Sequence, residues 1–225
     1  MPRRPAGPAP ARRPRVRRGN VEDQAALRRE LIDAAQGLFL EGGAAAVTMR
    51  AVAARVGVSP MAPYRYFADK AELLTGLWEF ALGGLYERMR SAFDATHPSA
   101  RMRQAAVIDA FLGYWEGHPE RYRLVYAPLG ADREETVAGV ADFPVYERLL
   151  ALSHAMGLAL AAELGVGAQH VKLASDLRFA MQLGYLHGLM VNRRYPWGDR
   201  AVLRATYIEQ IVATVERCLR DGPAG

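Results

Sequence analysis

A short run of the sequence carries side chains suited to contacting phosphate groups. In the run Pro-Met-Ala-Pro-Tyr-Arg-Tyr-Phe, which ends at Phe67, Tyr64 and Tyr66 flank Arg65, and Lys70 follows shortly after. Tyrosine hydroxyls, the arginine guanidinium and the lysine ammonium group all donate hydrogen bonds that phosphate oxygens accept. Phe67 supplies an apolar anchor that would hold such a segment against a protein core. These residue types indicate docking onto a nucleic acid backbone.

The sequence lacks the motifs of the common enzyme classes. It contains no G-x-G-x-x-G loop, no Walker loop and no G-x-S-x-G nucleophile elbow. Ser153 and His154 adjoin, but neighbouring residues on a helix point away from each other, so they do not form a nucleophile–base pair. The single cysteine, Cys218, excludes an internal disulfide and a thiolate metal cluster. We expect no catalytic residue and no cofactor, and a metal site only if two of the five histidines meet in space.

Three short helices near the N-terminus are predicted to position the phosphate-binding run. Apolar residues recur at three- and four-residue spacing in the first helix, which the Gly42–Gly43 pair ends. This apolar stripe comprises Leu27, Leu31, Ala34, Ala35, Leu38 and Phe39. Thr48 is a good N-cap for the second helix, which Gly57 breaks. Ser59 is predicted to cap the third helix, with Pro60 at its first position, where a missing N–H is harmless.

Longer helices are expected in the rest of the chain. A fourth helix should start at Lys70, because Asp69 and Glu72 have the spacing of a capping box. Beyond it the helical periodicity continues in segments separated by prolines and glycines. These segments are 73–93, 102–115, 143–164, 171–191 and 202–219. Strand alternation with hairpin turns is absent. The predicted fold class is all-α, with three short helices followed by about six longer ones.

The sequence from Ala34 to Leu74 resembles the N-terminal DNA-binding domain of TetR-family transcriptional regulators. The matching stretches are AAQGLFLEGG at 34–43, VTMRAVAARVGVS at 47–59 and PYRYFADKAELL at 63–74. The resemblance implies a three-helix helix-turn-helix domain followed by a larger helical ligand-binding and dimerisation domain. We expect an Arg- and Pro-rich tail at 1–20, the DNA-binding domain at 21–74, the larger domain at 75–219 and a flexible C-terminus at 220–225.

The resemblance also implies roles for individual residues. Thr48 would cap the second helix and contact a phosphate, while Arg50, on the exposed face of that helix, would reach a base edge. The segment 60–62 would form the leading edge of the recognition helix and touch thymine methyl groups. The tyrosines and Lys70 would contact phosphates, and Arg65 either bases or phosphates. The complete DNA-binding set is Thr48, Arg50, Ser59, Pro60, Met61, Ala62, Tyr64, Arg65, Tyr66 and Lys70.

Pro63 departs from the family pattern, which has leucine or isoleucine at this position. Because Pro63 lies near the predicted start of the recognition helix, we expect it to remove at most one early hydrogen bond. The helix should therefore survive, although the side chains of Tyr64 and Arg65 could be displaced from their family positions.

The positive charge of the chain is concentrated in its first residues. The chain has 29 basic and 24 acidic residues, a net charge of +5, yet seven arginines lie within residues 1–19. Without them, 22 basic residues remain against 24 acidic ones, and residues 20–75 carry six basic and seven acidic residues. A tail of this composition is expected to be disordered. It is either a solvated leader without a role or an arm that adds phosphate contacts, and the near-neutral DNA-binding domain favours the arm.

The larger domain is rich in aromatic residues, and the resemblance implies that it encloses a small-molecule effector. We expect the pocket to be lined by Trp78, Phe111, Tyr114, Trp115, Tyr122, Tyr126, His154, Phe179 and Tyr185. Both the family and the small surface of a single helix-turn-helix imply a homodimer. Its interface is predicted on the last two helices. The predicted residues are Leu183, Gly184, Leu186, His187, Gly188 and Met190, with Ile208, Ile211, Val212 and Val215. The alternative is that these are core helices of a monomer.

These features predict a homodimeric regulator, a repressor that binds a palindromic operator in double-stranded DNA and is released by a small molecule. An export signal would need an apolar stretch after the arginines, but Val21–Glu30 is polar, and no uncharged apolar run of about 18 residues exists to span a membrane. We therefore expect a cytoplasmic protein. Two alternatives remain open: a sequence-independent, nucleoid-type DNA binder that uses the tail, and an all-α ligand-binding protein without DNA function.

Overall fold

The computed structural model describes residues 21–126, 143–192 and 194–222. The elements in these residues are α1 (Val21–Ala46), α2 (Met49–Val56), a 3₁₀ helix (Pro63–Arg65), α3 (Lys70–Thr75), α4 (Trp78–Asp94), α5 (Ala100–Gly117), α6 (Pro119–Tyr126), α7 (Pro144–Leu164), α8 (Val171–Val191) and α9 (Arg200–Asp221). No strand occurs among them, so the predicted all-α class is confirmed. The predicted tail at 1–20 lies outside the described residues. Helix α9 continues to Asp221, two residues into the predicted flexible C-terminus.

The N-terminal helices pack around one side of α1. Leu31, Ala35 and Phe39 of α1 are buried, and α1 contacts both α2 and α3. At Gly42 (φ −148°, ψ 20°) and Gly43 (φ 65°, ψ −166°) the backbone leaves helical geometry, so the regular helix ends at the predicted glycine pair. The positive φ at Gly43 is one that a side chain would disfavour. The turn directs the chain into α2.

The predicted fourth helix is divided into α3 and α4. The two residues between them, Gly76 and Leu77, have helix-like dihedral angles, but the regular hydrogen-bond ladder is interrupted there. Helix α5 lies at the centre of the larger domain, where it packs on α4, α7, α8 and α9, and its Trp115 is fully buried. Helix α6 contacts α1 and α3 as well as α4 and α5. It therefore connects the short N-terminal helices to the larger bundle.

The last two helices pack on each other and on α5 and α7. The predicted interface stripe on α9 is buried within the chain: Ile208 is 7% exposed, Ile211 and Val212 are 0% and Val215 is 2%. These four residues belong to the core of one protomer, so the prediction that they face a partner is wrong. Helical periodicity identifies an apolar stripe but does not distinguish a stripe that faces the core from one that faces a partner.

None of the described helices combines the length and the apolar character needed to cross a membrane. Within the same residues, no three His, Cys, Asp or Glu side chains are grouped closely enough to hold a metal ion.

Candidate nucleic-acid interface and effector site

Helix α2 is closed at both ends by the residues that the sequence indicated. The Thr48 hydroxyl accepts a hydrogen bond from the backbone N–H of Ala51 at 3.1 Å, which satisfies one of the free donors at the helix start. Gly57 adopts a left-handed conformation (φ 79°, ψ 27°), and the N–H of Val58 donates to the carbonyl of Ala53 at 3.0 Å. Thr48 and Arg50 are both exposed, as their predicted contacts with DNA require.

The recognition segment is shorter than predicted. Ser59 does not cap a helix, and Pro60 is not its first residue: the helical part is the 3₁₀ turn Pro63–Arg65, preceded by Ala62. The cause is Pro63, which has no N–H to donate to the carbonyl of Ser59 and whose ring crowds that carbonyl. The expectation that the helix would survive Pro63 is therefore wrong. The N–H groups of Tyr66 and Phe67 instead both donate to the Pro63 carbonyl, at 2.9 and 3.0 Å.

The 3₁₀ turn is anchored on one side and exposed on the other. Phe67 is 1% exposed, and the guanidinium of Arg28 on α1 lies 5.1 Å from the centre of its ring. Met61 is 68% exposed and Tyr64 49%. Ser59, Pro60 and Arg65 are exposed, whereas Ala62 and Tyr66 are half-buried. The anchoring predicted for Phe67 is thus present, and the predicted base- and phosphate-contacting residues lie around it.

A capping box fixes the position of Lys70. The Asp69 carboxylate accepts from the backbone N–H of Glu72 at 2.9 Å, and the Glu72 carboxylate accepts from the N–H of Ala68 at 2.6 Å. Lys70 is the first residue of α3 and is half-buried. Its ammonium group therefore extends from a defined backbone position next to the recognition turn.

An ion pair that the sequence analysis missed joins α1 to α2. Both terminal nitrogens of Arg55 donate to the Glu41 carboxylate, at 2.9 and 2.7 Å. These hydrogen bonds hold the pKa of Glu41 below its ordinary value. Arg50, Arg65 and Lys70 form no ion pair with any part of the chain that the structure describes. The assignment of Arg50, Arg65 and Lys70 to DNA stays a prediction, while Arg55 has a structural partner in Glu41.

Most of the predicted pocket residues form a buried aromatic cluster centred on Trp115. Its ring centroid lies 6.4 Å from that of Phe111, 5.0 Å from Tyr114, 5.8 Å from Tyr122 and 5.4 Å from Tyr126. Burial raises the pKa of Tyr126 well above its ordinary value, so its hydroxyl stays protonated at neutral pH. The cluster joins α5 to α6 and gives the larger domain an aromatic interior.

The other predicted pocket residues lie around this cluster or away from it. The Trp78 indole N–H donates to the Leu124 carbonyl at 3.1 Å and ties α4 to α6. Phe179, 42% exposed, packs edge-on against Phe111 at 6.3 Å. The Tyr185 hydroxyl donates to Glu116 at 3.1 Å, and burial raises the pKa of Tyr185 to about 12. His154 is exposed on α7, so it does not lie among the buried aromatic residues.

One buried charge also escaped the sequence analysis. Arg178 on α8 is 4% exposed, and Ala174 and Gln182, four residues to either side, are buried with it. An arginine on a helix is most often solvated. The sequence could have indicated this burial, because a spacing of four residues places Arg178 on the same helix face as Ala174.

The fold and the exposed cationic turn are those of a helix-turn-helix domain with an attached helical domain. Residues 31–77 match the family described as "Bacterial regulatory proteins, tetR family". The match is confined to the N-terminal helices, which are therefore similar to the DNA-binding domain of that family.

Two curated relatives are similar to the chain in part. Over 110 residues it is 32% identical to the HTH-type transcriptional activator FasR of Mycolicibacterium smegmatis, covering 49% of this chain and 50% of FasR. Over 123 residues it is 31% identical to the nucleoid occlusion factor SlmA of a Marinomonas species, covering 54% of this chain and 61% of SlmA. The chain thus spans only about half to three fifths of the length of these relatives.

Solved structures of similar fold cover nearly the whole chain. One is the transcriptional regulator FadR from Bacillus subtilis in complex with stearoyl-CoA, with a TM-score of 0.62 and 19% identity over 83% of this chain and 98% of that chain. Another is the putative regulatory protein SCO4313, with a TM-score of 0.61 and 19% identity over 87% and 99%. At this level of identity the similarity shows the fold alone. It covers the larger bundle as well as the N-terminal helix-turn-helix domain.

Proposed function

We propose that the chain is a cytoplasmic, sequence-specific DNA-binding regulator of transcription, which binds a palindromic operator as a homodimer and is released by a small-molecule effector. The observation that carries the proposal is the exposed turn at Tyr64 and Arg65, anchored by buried Phe67 and followed by Lys70 at the start of α3. Around it, Thr48 and Arg50 supply the contacts from α2. The chain acts by binding, not by catalysis.

We infer that the regulator is a repressor, because an anchored DNA-binding domain on an operator blocks access to that DNA by occupancy alone. Activation is a second candidate, since the relative FasR, similar over 110 residues, is named an activator. A reporter gene behind the operator separates the two. Repression predicts higher expression when the chain is deleted, and activation predicts lower expression.

The dimer is proposed to form through the outer face of α8. Leu173, Leu177, Ala180, Gly184 and His187 are exposed and follow one another at spacings of four, three, four and three residues. This is the spacing of a helix-bundle seam, and the small residues at 180 and 184 allow close approach of a second helix. Leu173 is 37% and Leu177 36% exposed, which leaves apolar surface for a partner to cover. This face replaces the buried stripe on α9 as the proposed interface.

Effector release is proposed to act through α6. This helix contacts α1 and α3 of the DNA-binding domain, and its Leu124 carbonyl is held by Trp78 of α4. A ligand among the aromatic residues around Trp115 would displace Tyr122 and Tyr126, which lie on α6. The shift would change the distance between the two recognition turns of a dimer, so that they no longer match the operator half-sites. A coupling of about 1–3 kcal/mol would weaken operator binding about 5- to 150-fold.

The DNA-binding surface is tested by a pair of double variants. An operator is first selected from genomic fragments, and its affinity for the protein is measured by fluorescence anisotropy. Tyr64→Ala with Lys70→Ala should abolish binding, because it removes two proposed phosphate donors from each protomer. The matched control is Tyr195→Ala with Lys172→Ala, since Tyr195 is 60% exposed and Lys172 is exposed on α8. Equal affinities of the two variants would refute the assignment of this surface.

The arginine-rich tail is proposed to add phosphate contacts beside the operator. Six basic and seven acidic residues in the segment 20–75 give the DNA-binding domain little charge of its own. Deletion of residues 1–19 should therefore reduce the affinity for all duplexes and leave the preferred sequence unchanged. Unchanged affinity would show that the tail is a leader without a role in binding.

A further inference from the structure

A cavity of about 310 Å³ lies where four helices of the larger domain meet. It is lined by Pro119 of α6, by Leu189 and Met190 of α8, and by two charged residues, Glu116 of α5 and Arg200 of α9. Leu189 is buried and Met190 half-buried, so one wall of the cavity is apolar. Cavities that bind small molecules have volumes of about 300–1,000 Å³. This cavity therefore suits a small ligand with both apolar and charged parts.

Both charged side chains on the cavity can make further polar contacts. The Glu116 carboxylate accepts from the Tyr185 hydroxyl at 3.1 Å and from a terminal nitrogen of Arg204. A carboxylate has about four acceptor positions, so Glu116 can accept from another cation as well. Arg200 forms no ion pair within residues 21–126, 143–192 and 194–222. Its guanidinium is therefore available to an anion that enters the cavity.

The charges on and next to the cavity balance one another. Arg204 forms ion pairs with both Asp109 and Glu116, so these three residues carry two carboxylates and one guanidinium. Arg200 supplies a second guanidinium. A ligand that carries one charge of each sign keeps this balance, whereas a simple acid or a simple amine would bring a charge without a partner. The charge pattern therefore favours a zwitterion.

We propose that this cavity binds a free amino acid with an apolar side chain, and that the bound amino acid changes the affinity for the operator. The planar fork of Arg200 fits the carboxylate of the ligand with two parallel hydrogen bonds. The ammonium group of the ligand donates to Glu116. Its side chain lies against Leu189 and Met190 and is removed from water there. The binding site stands on the cavity itself, whereas its effect on the operator rests on the regulatory function proposed above.

The cavity is placed to act on the N-terminal helices through α6. Pro119 is the first residue of α6, and α6 contacts α1 and α3. The next residue, Glu120, lies against Gly43 at the end of the regular part of α1, where its carboxylate would be 3.6 Å from a Cβ atom on Gly43. A ligand that displaces Pro119 therefore also changes the contact between α6 and α1.

The binding site is tested with two amino acids and their singly charged analogues. Leucine and methionine are each compared with the analogue that lacks the ammonium group and the analogue that lacks the carboxylate, by titration calorimetry on the full-length protein. At least one of the two amino acids should bind about 10-fold or more tightly than both of its analogues, because each analogue loses one charge-assisted contact. Failure of both amino acids to bind would overturn the proposal. So would binding of an analogue as tight as its amino acid in both series.

Two arginine variants on the same helix show whether Arg200 binds the carboxylate. Arg200→Met should bind the amino acid no more tightly than the analogue without a carboxylate. Because Arg200 is exposed, its replacement should leave the fold intact. Arg217→Met is the matched control, since Arg217 is exposed on α9 about 25 Å from Arg200 along the helix axis. It should keep the preference. A preference that persists in Arg200→Met, or that disappears in both variants, contradicts the assignment.

The effect on the operator is measured by fluorescence anisotropy with and without the amino acid. At a concentration that saturates only the wild type, operator affinity should change about fivefold or more in the wild type and stay constant in Arg200→Met. Amino-acid binding with unchanged operator affinity would overturn the effector role. Amino-acid preference without any operator binding would leave the cavity site in place and remove the regulatory function. Operator binding without amino-acid preference would do the reverse.

Discussion

Replacement of Lys70 by methionine should remove one phosphate contact from each protomer on the operator. Lys70 begins α3, whose start is fixed by the hydrogen bond from the Glu72 N–H to Asp69 at 2.9 Å, so the variant changes the ammonium group and not the backbone. The chain has one other lysine, Lys172, whose side chain is 81% exposed and pairs with Asp176 on α8 at 2.5 Å. Lys172→Met therefore removes the same charge far from the DNA-binding surface and is the matched control.

The size of the effect follows from counterion release. Each neutralised phosphate contributes about 0.9 to the slope of log affinity against log salt concentration. A dimer presents two copies of Lys70, so the slope should become shallower by about 1.8. Over a fourfold rise in salt, the affinity difference between wild type and variant should then narrow about tenfold. Fluorescence anisotropy with the operator duplex, between about 50 and about 200 mM salt, measures both slopes.

Three outcomes of this titration are informative. The expected one is a change of slope in Lys70→Met and none in Lys172→Met, with sedimentation confirming that both variants have the same oligomeric state. A change of about 0.9 would mean that only one protomer engages the DNA. Equal slopes for Lys70→Met and wild type would refute the assignment of Lys70 to a phosphate.

Three further predictions concern the pH dependence of stability, the anchor and the dimer. Because Arg55 holds the pKa of Glu41 below its ordinary 4.5, the stability that Glu41 contributes is complete above that pH and is lost as the pH falls through the lowered pKa. Urea midpoints of Glu41→Gln and wild type should therefore differ at neutral pH and converge in acid, and a constant gap would contradict the ion pair. Phe67→Ala should cost about 3–5 kcal/mol in chemical denaturation, and a cost below about 1 kcal/mol would show that Phe67 is not an anchor. Leu177→Glu should yield monomers in sedimentation velocity while Leu150→Glu, 53% exposed on α7, stays dimeric; a dimeric Leu177→Glu would exclude the α8 interface.

The sequence was sufficient to predict those helix ends that are determined by interactions between residues close together in the chain. Thr48 and its N–H partner are three residues apart, as are Asp69 and its partner, so the caps of α2 and α3 could be predicted from residue type and spacing. The left-handed conformation of Gly57 follows from the same kind of argument. Because these signals fix the ends of short helices, the bounds of α2 and the start of α3 could be predicted nearly residue by residue, whereas the recognition helix between them could not.

Pro63 was expected to remove at most one early hydrogen bond, but the recognition helix is reduced to a single 3₁₀ turn, because Pro63 has no N–H for the Ser59 carbonyl and its ring crowds that carbonyl. Two other features that the sequence did not predict depend on packing between distant residues. Ile211 lies on a predictable apolar stripe, yet only the position of α5 and α7 determines that this stripe faces inward. The burial of Arg178 could not be predicted for a similar reason, because it depends on packing against α7, about 25 residues earlier in the chain.

The measurement that tests the central claim most directly is the ratio of two affinities at one salt concentration. The selected palindromic operator is compared with a shuffled duplex of the same length and base composition. Sequence-specific binding by an anchored helix-turn-helix predicts that the operator is bound about a thousandfold more tightly or better. Equal affinity for the two duplexes would contradict the account and would identify a binder that recognises only the phosphate backbone.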